Sequence, residues 1–154
     1  MMKLCSDVLE TLKGKTLVTA ESCTGGGIGA ALTAVSGASN VFKGGIISYT
    51  NEVKQNLLRV DSAVLEREGA VSAAVAEAMA KGARLALDAD VAVSVTGLAG
   101  PGGDEFGNPV GTVFVGYSDN NTTISTEFCF AGSREEIRKQ AIIESLKIII
   151  QNNK

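Results

Sequence analysis

The sequence predicts an α/β protein, a single-domain α/β/α layered fold with a mixed sheet, on three observations. Short apolar runs of strand length alternate with stretches in which apolar residues recur at helical spacing. Two glycine-rich loops each begin where such a strand ends. Late in the chain two strands are separated only by Ser118 to Asn121, a hairpin spacing that makes the sheet mixed rather than wholly parallel. At 154 residues the chain can bury a sizeable core within one domain, taken as 1–154, and no repeat, linker or low-complexity segment divides it.

The elements follow in order. Leu4, Val8, Leu9 and Leu12 share one helical face, and Gly14 stops that helix. Thr16 to Ala20 reads as a strand, followed by a glycine turn and a small-residue helix from about Gly27 to Val35. Ser36 to Asn40 is a loop, and Gly45 to Tyr49 is a second strand, rich in β-branched and aromatic residues. Asn51 is placed to cap a helix carrying Val53, Lys54, Leu57 and Leu58. Asp61 caps a short helix through Glu68, and Ser72 caps an alanine-rich one from Ala73 to Leu87. Val91 to Val95 is apolar but for Ser94, the mark of a strand buried on both faces. The second glycine loop, Thr96 to Gly103, comes next, then strands Val110 to Tyr117 and Thr122 to Phe130. Ser133-Arg134-Glu135-Glu136 fits a capping box opening a last helix to about Ile150.

Composition excludes several classes. Fourteen basic and 17 acidic residues leave a net charge of -3, with the basic residues scattered, so no basic stripe exists to neutralise a nucleic-acid backbone. Aromatic content of 5% without tryptophan weakens base stacking as well. The three cysteines, Cys5, Cys23 and Cys129, are widely spaced and odd in number, which fits free thiols in a reducing compartment. The N-terminus reaches Asp7 before any apolar run forms, unlike a signal peptide, and no segment has the ~20 apolar residues of a spanning helix. The expectation is a cytoplasmic protein without nucleic-acid or membrane partners. The last helix, with Ile142, Ile143, Leu146, Ile148, Ile149 and Ile150, carries more apolar surface than one face buries. A homo-oligomer, a dimer in the first instance, is expected on that ground.

The run Thr19-Ala20-Glu21-Ser22-Cys23-Thr24-Gly25-Gly26-Gly27 places nucleophile candidates before a glycine turn whose backbone N–H groups are free to face an anion. The chain has no histidine, so Ser-His-Asp and Cys-His sites and histidine-held metals are impossible. A hydrolase acting through Ser22 therefore needs another base, and lysine suits, because burial lowers its pKa. Cys23 is the rival nucleophile, or a small core residue. Ser22 and Thr96 are equally readable as a cap and a turn residue, Tyr49 as an aromatic at the edge of the core, and Lys54 as one of nine ordinary lysines. Glu21 either pairs with a lysine or is solvated. Neither glycine loop is a Walker or dinucleotide fingerprint, so no cofactor is implied. Ligands of open α/β sheets bind beyond the carboxyl ends of strands, so the two loops are expected to wall one pocket.

The first run resembles the signature of the CinA C-terminal domain family, the nicotinamide-mononucleotide amidases. Further blocks are similar and occur in the family's order: Gly44 to Lys54, Gly69 to Ser72, Val95 to Gly103 with Pro109 to Val113, and Gly132 to Glu135. Ser133 stands where the family more often has aspartate, and Ala131 where it often has proline or serine. The resemblance implies an amidohydrolase converting nicotinamide mononucleotide (NMN) to nicotinic acid mononucleotide and ammonia, with no metal or cofactor. It implies Ser22 and Lys54 as a catalytic pair; Tyr49, which matches the family's tyrosine in the same block, is the third catalytic candidate, with a hydroxyl suited to a proton relay. The substrate-binding candidates are Cys23, Thr24, Gly25 and Gly26 in the first loop, Thr96, Gly97 and Gly100 in the second, and Arg134 and Arg138 in the last helix. A catalytically inactive module that keeps the pocket for ligand binding or interaction is the alternative.

Overall fold

Five strands form one sheet in the computed structural model, which describes residues 1–154. They are β1 (Leu17–Glu21), β2 (Phe42–Ile47), β3 (Val91–Gly97), β4 (Thr112–Ser118) and β5 (Thr123–Cys129), in the spatial order β2-β1-β3-β4-β5. β1 pairs in parallel with β2 and with β3, whereas β4 is antiparallel to β3 and β5 to β4. The mixed sheet predicted from the sequence is therefore present. Central β1 and β3 are buried along almost their whole length, while β2, at one edge, alternates between half-buried and exposed.

Helices cover both faces. α1 (Met2–Thr11), α2 (Gly27–Thr33) and α6 (Arg134–Gln151) pack on one face, over Leu17, Val91, Val93, Val95, Val113 and Val115. α5 (Ala73–Ala86), with α3 (Asn51–Leu58) and α4 (Ser62–Glu68), covers the other, over Val18, Ala20 and Ala92. Alternation along β1 and β3 assigns each side chain to one of these two cores. No helix is long and apolar enough to cross a membrane.

The strand residues under α5 are small, and that lets the helix approach closely. Ser94 Oγ donates to the Ala76 carbonyl of α5 at 2.6 Å. A Cβ on Gly116, in neighbouring β4, would overlap both that carbonyl oxygen and the Ser94 hydroxyl. Gly116→Ala is therefore expected to destabilise the fold by ~1–3 kcal/mol, the usual cost of overpacking, read as a lower urea midpoint at unchanged slope.

Caps at Asp61 and Ser72 hold as expected, with side chains accepting from Ala63 and Val75 N–H. Ser133 and Glu136 make both halves of a capping box. Several boundaries differ; β4, for one, begins at Thr112 rather than Val110. Thr50, not Asn51, caps α3, because its hydroxyl accepts the Val53 N–H at 3.3 Å. The loop of Ser36 to Asn40 contains a 3₁₀ turn over Ala38–Asn40. β2 begins at Phe42, through two glycines, because the missing Cβ of Gly45 leaves room for Thr19 of β1. It ends at Ile47, so Tyr49 lies beyond the strand rather than at its end. The spare apolar surface of α6 is taken up inside the molecule: Leu146, Ile148 and Ile149 are buried in the core shared with α1, and Ile142 and Ile150 pack against it half-buried. Ile143 is half-buried as well.

Candidate functional site

The chain crosses from α2, on one face, to α3–α5, on the other, by way of edge strand β2. This puts a crevice beyond the carboxyl ends of β1, β2 and β3, where ligands of such sheets bind. Three segments leave the sheet there. Ser22 follows β1 directly and its N–H donates to Val95 O of β3 at 3.0 Å. Ser48 follows β2 and its N–H donates to Glu21 O at 2.8 Å. The second glycine loop leaves β3 after Gly97, with Leu98 N–H bonded to Thr112 O.

Lys54, in the first turn of α3, reaches back to the start of this crevice. Its Nζ lies 3.1 Å from Ser22 Oγ, 2.8 Å from Ser48 O and 3.3 Å from Tyr49 O. The residue is 1% exposed, and none of the chain's ion pairs includes it. Burial without a carboxylate disfavours its charged form and pulls its pKa down from 10.5 to about 8, with the adjacent Cys23 acting weakly the other way. Lysine in this state supplies a lone pair near neutral pH. Cys23 stands in the opposite condition: burial pushes its thiol up to about 11, so it is protonated at neutral pH. Of the two nucleophile candidates, Ser22 alone is hydrogen-bonded to a base.

The pair opens on a cavity of about 320 Å³ walled by both glycine loops, as the sequence predicts. Ser22, Cys23, Tyr49, Lys54, Thr96, Gly97, Gly100 and Arg134 all line it. Thr96 is buried, and its hydroxyl donates to Ala70 O at 2.8 Å, tying the loop after α4 to β3. Tyr49 is 59% exposed; its hydroxyl accepts from Arg134 Nη2 at 3.3 Å and does not bond Ser22 or Lys54. Arg134 also donates to Gly100 O at 2.6 Å, so its guanidinium spans the mouth between the segment after β2 and the second glycine loop.

Thr24, Gly25, Gly26 and Arg138 do not line the cavity. The Thr24 hydroxyl points away, to Glu21 Oε1 at 2.7 Å, and Arg138 holds the carbonyls of Cys23 and Thr24 from behind the loop. Glu21 is neither paired with a lysine nor solvated. It is 2% exposed and accepts four hydrogen bonds, from Thr19 Oγ1, Thr24 Oγ1, Ile28 N–H and Gly29 N–H.

Further contributors escaped residue-by-residue reading. Asn51, Ala70 and Val71 line the cavity, and backbone carbonyls of Ser48 and Tyr49 hold the lysine. Main-chain acceptors leave no side-chain signal, but all these residues lie within the blocks Gly44 to Lys54 and Gly69 to Ser72.

Comparison with known proteins agrees with this picture. A family model described as the CinA C-terminal domain matches residues 1–152. A CinA-like protein of Synechococcus sp. (strain RCC307) is 50% identical over 150 residues, covering 95% of this chain and 36% of that protein. Another, from Thermosynechococcus vestitus, is 54% identical over 121 residues, 78% of this chain and 29% of that protein. The chain thus spans about a third of the length of the curated relatives it matches. Among solved structures, the competence damage-inducible protein A of Klebsiella pneumoniae superposes with a TM-score of 0.95 at 35% identity, covering 97% of this chain and 94% of that one. The competence/damage inducible protein CihA of Agrobacterium tumefaciens gives 0.95 at 37% identity, covering 99% and 95%.

Proposed function

The chain belongs to the CinA C-terminal domain family, and on that premise we propose that it is a serine–lysine amidohydrolase that converts NMN to nicotinic acid mononucleotide and ammonia. The observation that carries the reading is the 3.1 Å contact between Ser22 Oγ and a buried lysine without a carboxylate partner. The substrate follows from the family resemblance, and the anion-binding character of the cavity supports it.

Neutral Lys54 takes the Ser22 proton, and Ser22 Oγ attacks the carboxamide carbon. The tetrahedral oxyanion is met by the backbone N–H of Cys23, the first-loop residue after the nucleophile, which lines the cavity and whose N–H has no partner within the chain. One such donor is typically worth ~3–4 kcal/mol. The lysine ammonium then returns its proton to the departing ammonia, and water activated by the same lysine releases the acid from the acyl-enzyme. Arg134 offers the phosphate a two-pronged cation once it leaves Gly100 O and the Tyr49 hydroxyl, and the unpaired N–H groups of Ala99, Gly100 and Gly102 lie on the same side of the cavity. In this scheme Tyr49 positions Arg134, and its carbonyl positions Lys54.

The direct test is ammonia release from NMN by the purified chain, with nicotinic acid mononucleotide as co-product. A protein that NMN stabilises against heat but that releases no ammonia is the binding module, not the enzyme. The pH dependence is a separate expected result. Because the base must be neutral, kcat/KM should rise with pH, tenfold per unit below the lysine's pKa, and level off above about pH 8. A profile that falls as pH rises through that value contradicts lysine as the base.

A further inference from the structure

The Ser22–Gly26 loop has an uneven use of its peptide groups. All of its carbonyls but that of Gly25 are engaged on the protein side: Ser22 O by Gly25 N–H, Cys23 O by Arg138 Nε at 2.9 Å, Thr24 O by Arg138 Nη2 at 3.2 Å and by Gly27 N–H, and Gly26 O by Ala30 N–H. The N–H groups of Cys23, Thr24 and Gly26 are left without partners. A loop this rich in glycine does not hold such an arrangement by its own stiffness, since Gly25 and Gly26 both sit at positive φ, where glycine moves freely.

Two charged side chains from outside the loop hold it. Glu21, at the end of β1, grips the Thr24 hydroxyl and the N–H groups of Ile28 and Gly29. Arg138, half-buried on α6, grips two consecutive carbonyls with two prongs of its guanidinium. A trans peptide is planar, with its C=O and N–H pointing in opposite directions. Fixing Cys23 O on Arg138 therefore turns the Thr24 N–H away from α6. The same bond keeps a carbonyl dipole from facing charge that develops on the other side of that peptide.

We infer that Glu21 and Arg138 are positioning residues: they hold the turn of the nucleophile loop so that the unpaired N–H on the cavity wall, that of Cys23, serves the oxyanion, and neither touches substrate. The inference rests on the serine-nucleophile reading of the site. It also gives Arg138 a different task from Arg134, one helical turn away, which lines the cavity.

The experiment uses Arg138→Met, Arg138→Ala and Glu21→Gln in the full chain, with two readouts. One is kcat and KM for NMN. The other is the rate at which a fluorophosphonate probe phosphonylates Ser22, a step that forms an O–P bond, expels fluoride, and needs the nucleophile and its oxyanion donors but not NMN. Arg138→Met is expected to lower kcat by ~10²-fold, the scale of a misplaced oxyanion donor, with KM changed less than about threefold and labelling slowed in parallel. Millimolar guanidinium chloride should restore labelling and kcat in Arg138→Ala, which simple loosening of the fold would not allow. Glu21→Gln puts an N–H₂ among donors and should show the same split. Wild-type kcat and labelling in Arg138→Met, at wild-type melting temperature, would overturn the inference. So would a loss that appears in KM alone. If the native chain is labelled in an Arg138-dependent way yet releases no ammonia from NMN, the positioning role stands and the NMN reading fails. If the native chain is not labelled at all, the serine-nucleophile reading fails, and the inference with it.

Discussion

Ser22→Ala should release no measurable ammonia from NMN while folding as the native chain does. Removing a serine nucleophile ordinarily lowers kcat by many powers of ten, because the remaining groups do not act independently of it. A fall of at least ~10³-fold is expected here. The fold should tolerate the change. Ser22 is held through its backbone N–H on Val95 O, which alanine keeps, and its hydroxyl meets only the Lys54 ammonium. Lys54 retains its two carbonyl acceptors, Ser48 O and Tyr49 O. The variant should therefore still bind NMN, and a rise in melting temperature on adding NMN, without turnover, is the companion measurement. Full ammonia release from this variant would remove Ser22 from the chemistry, and the high thiol pKa of Cys23 would then need another explanation.

Lys54→Met is the second large effect, and it should separate activity from stability. Activity should fall as far as in Ser22→Ala, because no other base bonds the serine hydroxyl. Stability should not fall with it. In the folded chain the lysine's pKa is about 8 against 10.5 in the unfolded one, so the unfolded state binds more protons between these values and stability rises with pH across that window. Below about pH 8 the cost of keeping the buried ammonium is fully present, roughly 3 kcal/mol. Methionine removes that cost but leaves Ser48 O without a donor, which returns ~1–3 kcal/mol. At pH 7 the variant should be as stable as the native chain or up to ~2 kcal/mol more so, by urea denaturation. A destabilisation of several kcal/mol would mean that the lysine is held for structure.

The sheet and the Ser22 loop were legible because each carries a local signal. Val91 to Val95 is apolar but for Ser94 because both faces are covered, and Ser22 announces itself by following a strand and preceding glycines. Lys54 carries no such signal. It is one of nine lysines, and its distinction arises only when β1 and β2 pair and bring residue 54 to within 3.1 Å of residue 22. Arg134 and Arg138 show the same limit. They share one face of one helix at four-residue spacing, and only the surroundings make one a cavity wall and the other a brace behind the loop. Glu21 is the converse case. A carboxylate at a strand end reads as exposed or paired, and what surrounds it is a set of donors: the hydroxyls of Thr19 and Thr24 and the amides seven and eight residues further on.

In the parallel pairing of β1 with β2, Glu21 stands opposite Ile47, and the next residue on each strand is the nucleophile and the carbonyl that holds its base. One residue along a strand is ~3.3 Å, about the whole length of the serine–lysine contact. A single-residue insertion or deletion within β2 would ordinarily count as a mild change, since edge strands bury little and neighbouring loops absorb the slack. In this chain it would carry the anchor of Lys54 past Ser22. The alignment of one peripheral strand is thus a tolerance on the catalyst itself, and length variation there should be far rarer among active variants than among merely folded ones.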